Sequence, residues 1–309
     1  MIRKPDKALQ WQSKTILLLV VPWTVASVIL QAHWWATQVP VVDWTTLGIS
    51  GIFGLIVWWM KAGTPAAAAT GAAITASLMF SSTEYPYEWS WLYGELPPLL
   101  TMFLLTYAAT KVGRAKKERL GIAEEKRGRN AAQVSANLGI AALIAMPGTF
   151  TSLPQWVGSF KTPAPLLFLL APMVGLAALA EAAADTVSSE IGQVAGKRPR
   201  LLTTLRRVEP GTDGGITLTG TMAGVIAAII VAAVGTLAIQ QGSGGPQSKV
   251  MFAMAASGGI FGLLFDSLLG ATLERKGWLN NDAVNFLSTL SAVVLVIAEL
   301  AIFGFPIKV

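Results

Sequence analysis

The chain is built from apolar runs that are too long for the core of a soluble domain. They recur nine times, at about 15–36, 44–60, 64–81, 95–112, 134–153, 163–184, 217–240, 250–273 and 283–305. Runs of about 18 or more apolar residues read as membrane spans. Only 13% of the 309 residues are charged, against 53% hydrophobic; a soluble domain carries about 25% charged residues. The expected fold is therefore all-α: a polytopic transmembrane helical bundle of about nine spans, forming one domain over 1–309. The short second and third runs can also be read as a hairpin that does not cross.

The positive charges alternate with the runs. Arg3, Lys4, Lys7 and Lys14 precede the first, and eight Lys or Arg residues between Lys111 and Arg129 follow the fourth. Lys197, Arg198, Arg200, Arg206 and Arg207 follow the sixth; Arg275 and Lys276 follow the eighth. The intervening connections hold Lys161 and Lys249 and little else that is basic. With nine spans every rich connection falls on one side, which the positive-inside rule makes cytoplasmic. The N-terminus is then cytoplasmic, and the plasma (inner) membrane is the expected location. The net charge of +6 is accounted for by this topology, so a nucleic-acid partner is not expected. Tryptophans cluster near the span ends, as an aromatic belt requires.

Some chemistry is excluded outright. There is no cysteine, hence no disulfide, iron–sulfur cluster or thiolate catalysis. The single histidine, His33, lies beside Trp34 and Trp35, which argues against a histidine metal site or catalytic triad.

The remaining polar groups gather at the basic ends of the spans, in 112–133, 186–216 and 274–282. Ionisable groups within spans are costly and commonly functional. Glu181 and Asp185 are four apart and share a helix face. Glu190 falls about 140° round from Asp185, so both serve one site only if the helix ends or bends between them. Asp266 lies deep in the eighth run, after the small residues Ser257, Gly258, Gly259 and Gly262, which permit close packing within or between chains. Carboxylates of this kind suit Mg²⁺; acids at a helix end that enters water are equally well solvated. Gly211, Thr212, Gly214 and Gly215 precede the seventh run. Such glycines can turn backbone N–H groups towards an anion next to a helix start, or can simply form a turn. Arg129, Arg206 and Arg207 add positive charge. Asn130, Gln133 and Asn137 give the fifth helix one polar face, and Asn281 and Asn285 do the same for the ninth.

In order and spacing, these blocks resemble the phytyl-phosphate kinase and transmembrane protein 19 family. The resemblance rests on Arg129-Asn130 with Gln133-Val134 and Ala136-Asn137, and on Ala184-Asp185-Thr186 with Ser189-Glu190-Ile191-Gly192. It continues through Pro199 to Thr203, Val208 with Gly211-Thr212 and Gly214-Gly215, Gly220-Thr221, Asp266-Ser267 with Gly270, and Asn280-Asn281 with Val284-Asn285. It implies a membrane kinase that converts an isoprenoid monophosphate, phytyl or another prenyl phosphate, to its diphosphate, as in vitamin E biosynthesis. The donor would be a nucleoside triphosphate, CTP by preference, with Mg²⁺. On that reading Asp185, Glu190 and Asp266 hold the metal and carry catalysis. Arg129, Asn130, Thr203, Arg206, Arg207, Gly211, Thr212, Gly214 and Gly215 bind phosphate and nucleotide. Gln133, Asn137, Ser189, Asn281 and Asn285 orient the substrate. The partners are then the nucleotide, a prenyl phosphate lipid and the bilayer, with a homodimer also open. Two other classes use similar residues: an ion-coupled transporter, and a cytidylyltransferase acting on lipid phosphates.

Overall fold

The computed structural model describes residues 7–83, 94–123, 128–145, 164–194, 198–239 and 246–303. They form a bundle of α-helices with one small β-hairpin. After a 3₁₀ turn at Lys7–Leu9 come α1 (Gln10–Gln38), α2 (Pro40–Trp59), α3 (Pro65–Ser81), α4 (Leu96–Lys111), the short α5 (Arg114–Leu120) and α6 (Ala131–Ile144). Then follow α7 (Ala164–Val194), strands β1 (Arg200–Leu201) and β2 (Gly215–Ile216), α8 (Leu218–Ile239), α9 (Pro246–Leu269) and α10 (Asn281–Phe303). A single π turn, Gly270–Glu274, extends α9.

Among the described residues, five helices are long and apolar enough to cross a membrane: Gln10–Gln38, Pro40–Trp59, Leu218–Ile239, Gln247–Glu274 and Asn281–Phe303. Pro65–Ser81 and Ala131–Ile144 are apolar but shorter. The helix starts follow ordinary capping rules. Thr64 accepts a hydrogen bond from the Ala67 N–H, with Pro65 in the first turn. Asn130 and Gln133 form a reciprocal capping box on α6.

The centre of the bundle is α7. It packs on α8, α9, α10, α4 and α6, and its mid-section from Met173 to Ala184 is almost wholly buried alanine and leucine. Small residues let its neighbours approach closely. A Cβ on Gly224 would lie 2.6 Å from the Ala184 carbonyl oxygen, and one on Gly259 2.9 Å from the Ala180 Cβ. The 257–262 stripe therefore packs inside this chain: Gly258 and Gly262 also face Ala292 of α10.

Three sequence expectations change. The sixth helix does not end near 184 but runs unbroken to Val194. The stretch after the fourth span contains an ordered helix, α5. Trp35 is buried against Val42, Ala76 and Phe80 rather than lying in a belt, whereas Trp11, Trp44, Trp58, Trp59 and Trp278 are exposed. Trp89, Trp91 and Trp156 lie outside the described residues.

Candidate active site

The connections 60–64, 111–123, 128–130, 198–217 and 270–281 meet at one end of the bundle. Backbone hydrogen bonds lock several of them together. The Thr64 N–H donates to the Arg129 carbonyl and the Arg129 N–H to the Ala62 carbonyl. Gly128 takes a left-handed φ of +73°, and a Cβ there would collide with the Ala62 carbonyl at 2.4 Å. This clamp sets Arg129 at the mouth of the bundle, where its Nη2 donates to Thr186 Oγ1. Lys116 Nζ donates to the Val194 carbonyl, and Gln12 receives the Asn280 N–H.

Between these connections lies a polar cavity of about 390 Å³, within the range of small-molecule sites. Its walls include Arg129, Gln133, Asn137, Asp185, Ser189, Glu190, Gly211, Thr212, Gly214, Gly215, Asp266, Asn281 and Asn285. Sequence motifs some 150 residues apart thus converge on one space. The polar faces of α6 and α10 meet there, since Asn285 Nδ2 donates to Asn137 Oδ1 and Asn137 Nδ2 to the Gln133 carbonyl.

The carboxylates divide into three roles. Asp185 and Asp266 lie within hydrogen-bonding reach of each other, and Arg129 is close enough to attract Asp185. Asp266 Oδ1 is buried with no hydrogen-bond partner among the described residues, as is Gln193 Oε1 on the same cavity wall. Two adjacent carboxylates with an orphaned oxygen are the donor set a hard cation fits. Mg²⁺ commonly takes one or two carboxylates and completes its shell with water and substrate phosphate. One turn deeper, Glu181 is buried and accepts from Ser288 Oγ at 2.7 Å and Thr289 Oγ1 at 2.6 Å. Glu190 behaves differently. Because α7 stays helical through this stretch, its carboxylate turns towards α4 and α5, where Oε2 pairs with Lys117 Nζ and Oε1 receives Thr110 Oγ1 at 3.5 Å. Glu190 is therefore already engaged and does not join Asp185 and Asp266 in a three-carboxylate cluster. No such cluster occurs among the described residues.

The phosphate-binding expectation is narrowed too. β1 and β2 pair antiparallel, Arg200 opposite Ile216 and Leu201 opposite Gly215. The hairpin carries Thr203, Arg206 and Arg207 outward as exposed residues off the cavity wall. Asn130 is also off the wall, its side chain used to cap α6. The glycine turn itself stays on the wall, held by packing. Gly211 and Gly214 have φ of +82° and +68°, a region open to glycine at little cost. A Cβ on Gly214 would lie 2.1 Å from the Ala271 N, inside the π turn. Two of its N–H groups are spent within the turn, Thr212 on the Glu209 carbonyl and Gly215 on the Thr212 carbonyl.

Sequence reasoning missed Thr186, Gln193 and Glu274 as wall residues and gave Ser188 and Asp213, which also line the wall, no role. It also missed Lys117, whose buried ammonium donates to the Ala109 and Thr110 carbonyls as well as to Glu190. The Ser188 position follows from its helical spacing to Asp185. Lys117 carried no such signal.

The comparisons with known proteins agree with this architecture. The family model described as "Integral membrane protein DUF92" matches residues 48–293. The uncharacterized membrane protein MJ0933 of Methanocaldococcus jannaschii is 36% identical over 62% of this chain and 70% of its own length. Protein VTE6, chloroplastic, of Arabidopsis thaliana is 32% identical over 67% of this chain and 60% of its own length. Protein PGR, also of Arabidopsis thaliana, is 31% identical over 64% of this chain and 78% of its own length. No solved structure matches the chain at a significant level.

Proposed function

The chain belongs to the DUF92 family of integral membrane proteins, and we propose that within it this protein is a phosphotransferase that converts a prenyl monophosphate to its diphosphate. The donor is a nucleoside triphosphate, CTP by preference, and the site faces the cytoplasm. The observation that carries the reading is the convergence of Asp185, Asp266, Arg129 and the 211–215 turn on one polar cavity at the ends of membrane helices. The resemblance of these motifs to the phytyl-phosphate kinase family supports the same reaction class, and the positive-inside pattern supports the orientation.

The chemistry required is modest. Phosphoryl transfer depends mostly on positioning and on neutralising charge. The acceptor is already an anionic phosphate oxygen, which attacks the γ-phosphorus of the donor; the bond to the β-phosphate bridging oxygen breaks and the nucleoside diphosphate departs. No general base is needed, in keeping with a wall that has no histidine. Asp185 and Asp266 would hold Mg²⁺, and the ion would offset the charge gathered on the triphosphate and on the two carboxylates. Arg129 neutralises phosphate at the junction with α6. Gln133, Asn137, Asn281 and Asn285 offer amide donors and acceptors that fix the two reactants relative to each other.

The test uses purified protein with Mg²⁺, phytyl or geranylgeranyl monophosphate, and CTP or ATP, with lipid products followed by mass spectrometry. The expected result is prenyl diphosphate with an equal yield of nucleoside diphosphate. Asp185→Asn and Asp266→Asn should each lower the rate by on the order of 10², with a raised Mg²⁺ requirement. Pyrophosphate release with a nucleotidyl-lipid product would replace the kinase by a nucleotidyltransferase. Ion-dependent uptake into proteoliposomes without any nucleotide turnover would replace it by a transporter.

A further inference from the structure

Beside the polar cavity, and sharing Arg129 and Asn137 with it, lies a second cleft between α2, α3, α4 and α6. It exists because α4 docks on α7 and α8 and scarcely touches α3, while α2 packs on α1 and α3. One side is lined by an aromatic ladder. Phe53 meets Phe103 edge to face at 5.2 Å, and Phe103 stacks on Tyr107 at 5.9 Å. The cleft has a volume of about 100 Å³, and its inner wall is apolar, with Val57, Leu99, Met102 and Leu138.

Its end at the active-site side is different. Lys61, Lys111, Arg114 and Arg129 all line it, and no carboxylate does among the described residues. Lys111 Nζ sits 4.7 Å from the centre of the Tyr107 ring; Arg114 is partly occupied by Glu118 at 3.0 Å. Lys61 adopts φ of +54°, a left-handed conformation that glycine takes far more readily. Its neighbours Ala62 and Thr64 are tied to Arg129 by the backbone clamp, so Lys61 and Arg129 are positioned as one unit. Residues held in sparsely populated conformations concentrate at ligand sites.

A greasy slot with a carboxylate-free basic mouth has the polarity of a lipid carrying one chain and an anionic head. We propose that this cleft binds the single hydrocarbon chain of the prenyl phosphate, with the phosphate held by Lys61, Lys111 and Arg129. The head group then enters the polar cavity at Arg129 and Asn137, the two residues common to both spaces. The identification of the lipid rests on the kinase reading above; the cleft and its head-group cations do not. A diacyl phosphatidate shares the anionic head, and competition between the two lipids separates them.

The experiment takes the full chain in lipid nanodiscs, without nucleotide, and a geranylgeranyl monophosphate analogue bearing a photoreactive group at the chain terminus. Cross-linked peptides should map to α3 and α4. Gly71 lines the cleft, and a Cβ there meets nothing within 4 Å, so Gly71→Leu fills the slot without forcing the helix apart and with a gain in helix propensity. It should reduce labelling at least tenfold and raise KM for the lipid, leaving KM for the nucleotide in place. Gly51→Leu, also facing open space but off the cleft, controls for any general effect of a larger helix residue and should label as the parent protein does. Lys61→Gln should weaken the phosphate probe several-fold and leave the corresponding prenyl alcohol unaffected. Labelling spread over the outer surface, or unchanged in Gly71→Leu, overturns the cleft even if diphosphate is made. Labelling confined to α3 and α4 with no diphosphate from any donor supports the cleft and overturns the kinase. Equal competition by phosphatidate overturns the single-chain assignment.

Discussion

Lys117 carries the residue-scale lesson. Its side chain is 1% exposed and its ion-pair partner Glu190 15%. Breaking a buried pair by removing one partner leaves an uncompensated charge and costs about 3–5 kcal/mol. Lys117→Met should therefore lower the thermal midpoint in detergent sharply, and Lys117→Met with Glu190→Gln should recover much of the loss. A double variant as unstable as the single would show that the pair itself contributes little. The sequence offers no means to single out this lysine, because Lys116-Lys117-Glu118-Arg119 reads as a solvated basic run and only the fold turns one member inward. Asp185 and Asp266 were legible for the opposite reason: a carboxylate amid alanine and leucine is expensive anywhere, so its presence points to a partner or a ligand. Arg206 and Arg207 looked as useful as Arg129 in one dimension. The hairpin sends them to water, while the backbone clamp holds Arg129 at the cavity.

At the scale of elements, the seat of the 211–215 turn on the π turn governs the floor of the site. π turns are rare and frequent at functional positions, and here Gly270 and Gly214 are opposed so closely that neither tolerates a Cβ. Gly214→Ala should combine a left-handed penalty of about 1 kcal/mol or more with a backbone collision. The expected outcome is loss of activity with far-UV helicity preserved, because only the hairpin lifts. Retained full activity would mean that the turn does not need its seat. The glycines were visible in the sequence as a turn or an anion nest. What was invisible was the partner surface, since a π turn has no strong composition signature. The unbroken course of α7 was likewise hidden. The small and polar residues from Asp185 to Gly192 suit a helix end, yet packing of Gly192 and Gly220 against one another keeps the helix going.

For the whole molecule, the loops that carry the motifs share one end, the end that the proposed orientation puts in the cytoplasm. The chain has no cysteine, so single introduced thiols report sidedness without background. Thr203→Cys, on the exposed hairpin, should react with a membrane-impermeant maleimide only after permeabilisation, and Thr37→Cys, at the far end of α1, in intact cells. The reverse pattern would invert the topology and place the site outside.

Helix length varies across this bundle in a directional way. At 1.5 Å per residue, the 29 residues of α1 reach about 43 Å, but the 14 of α6 reach about 21 Å and the 16 of α4 about 24 Å. A bilayer's hydrocarbon is about 30 Å thick. α4 and α6 both line the cleft beside the polar cavity, so a lipid held there would lie against helices shorter than the hydrocarbon is thick. On the proposed reading, a phosphate held at the mouth of the cleft reaches the polar cavity without its chain being drawn out of the hydrocarbon. The thickness of the host membrane would then help to decide how readily such a lipid engages.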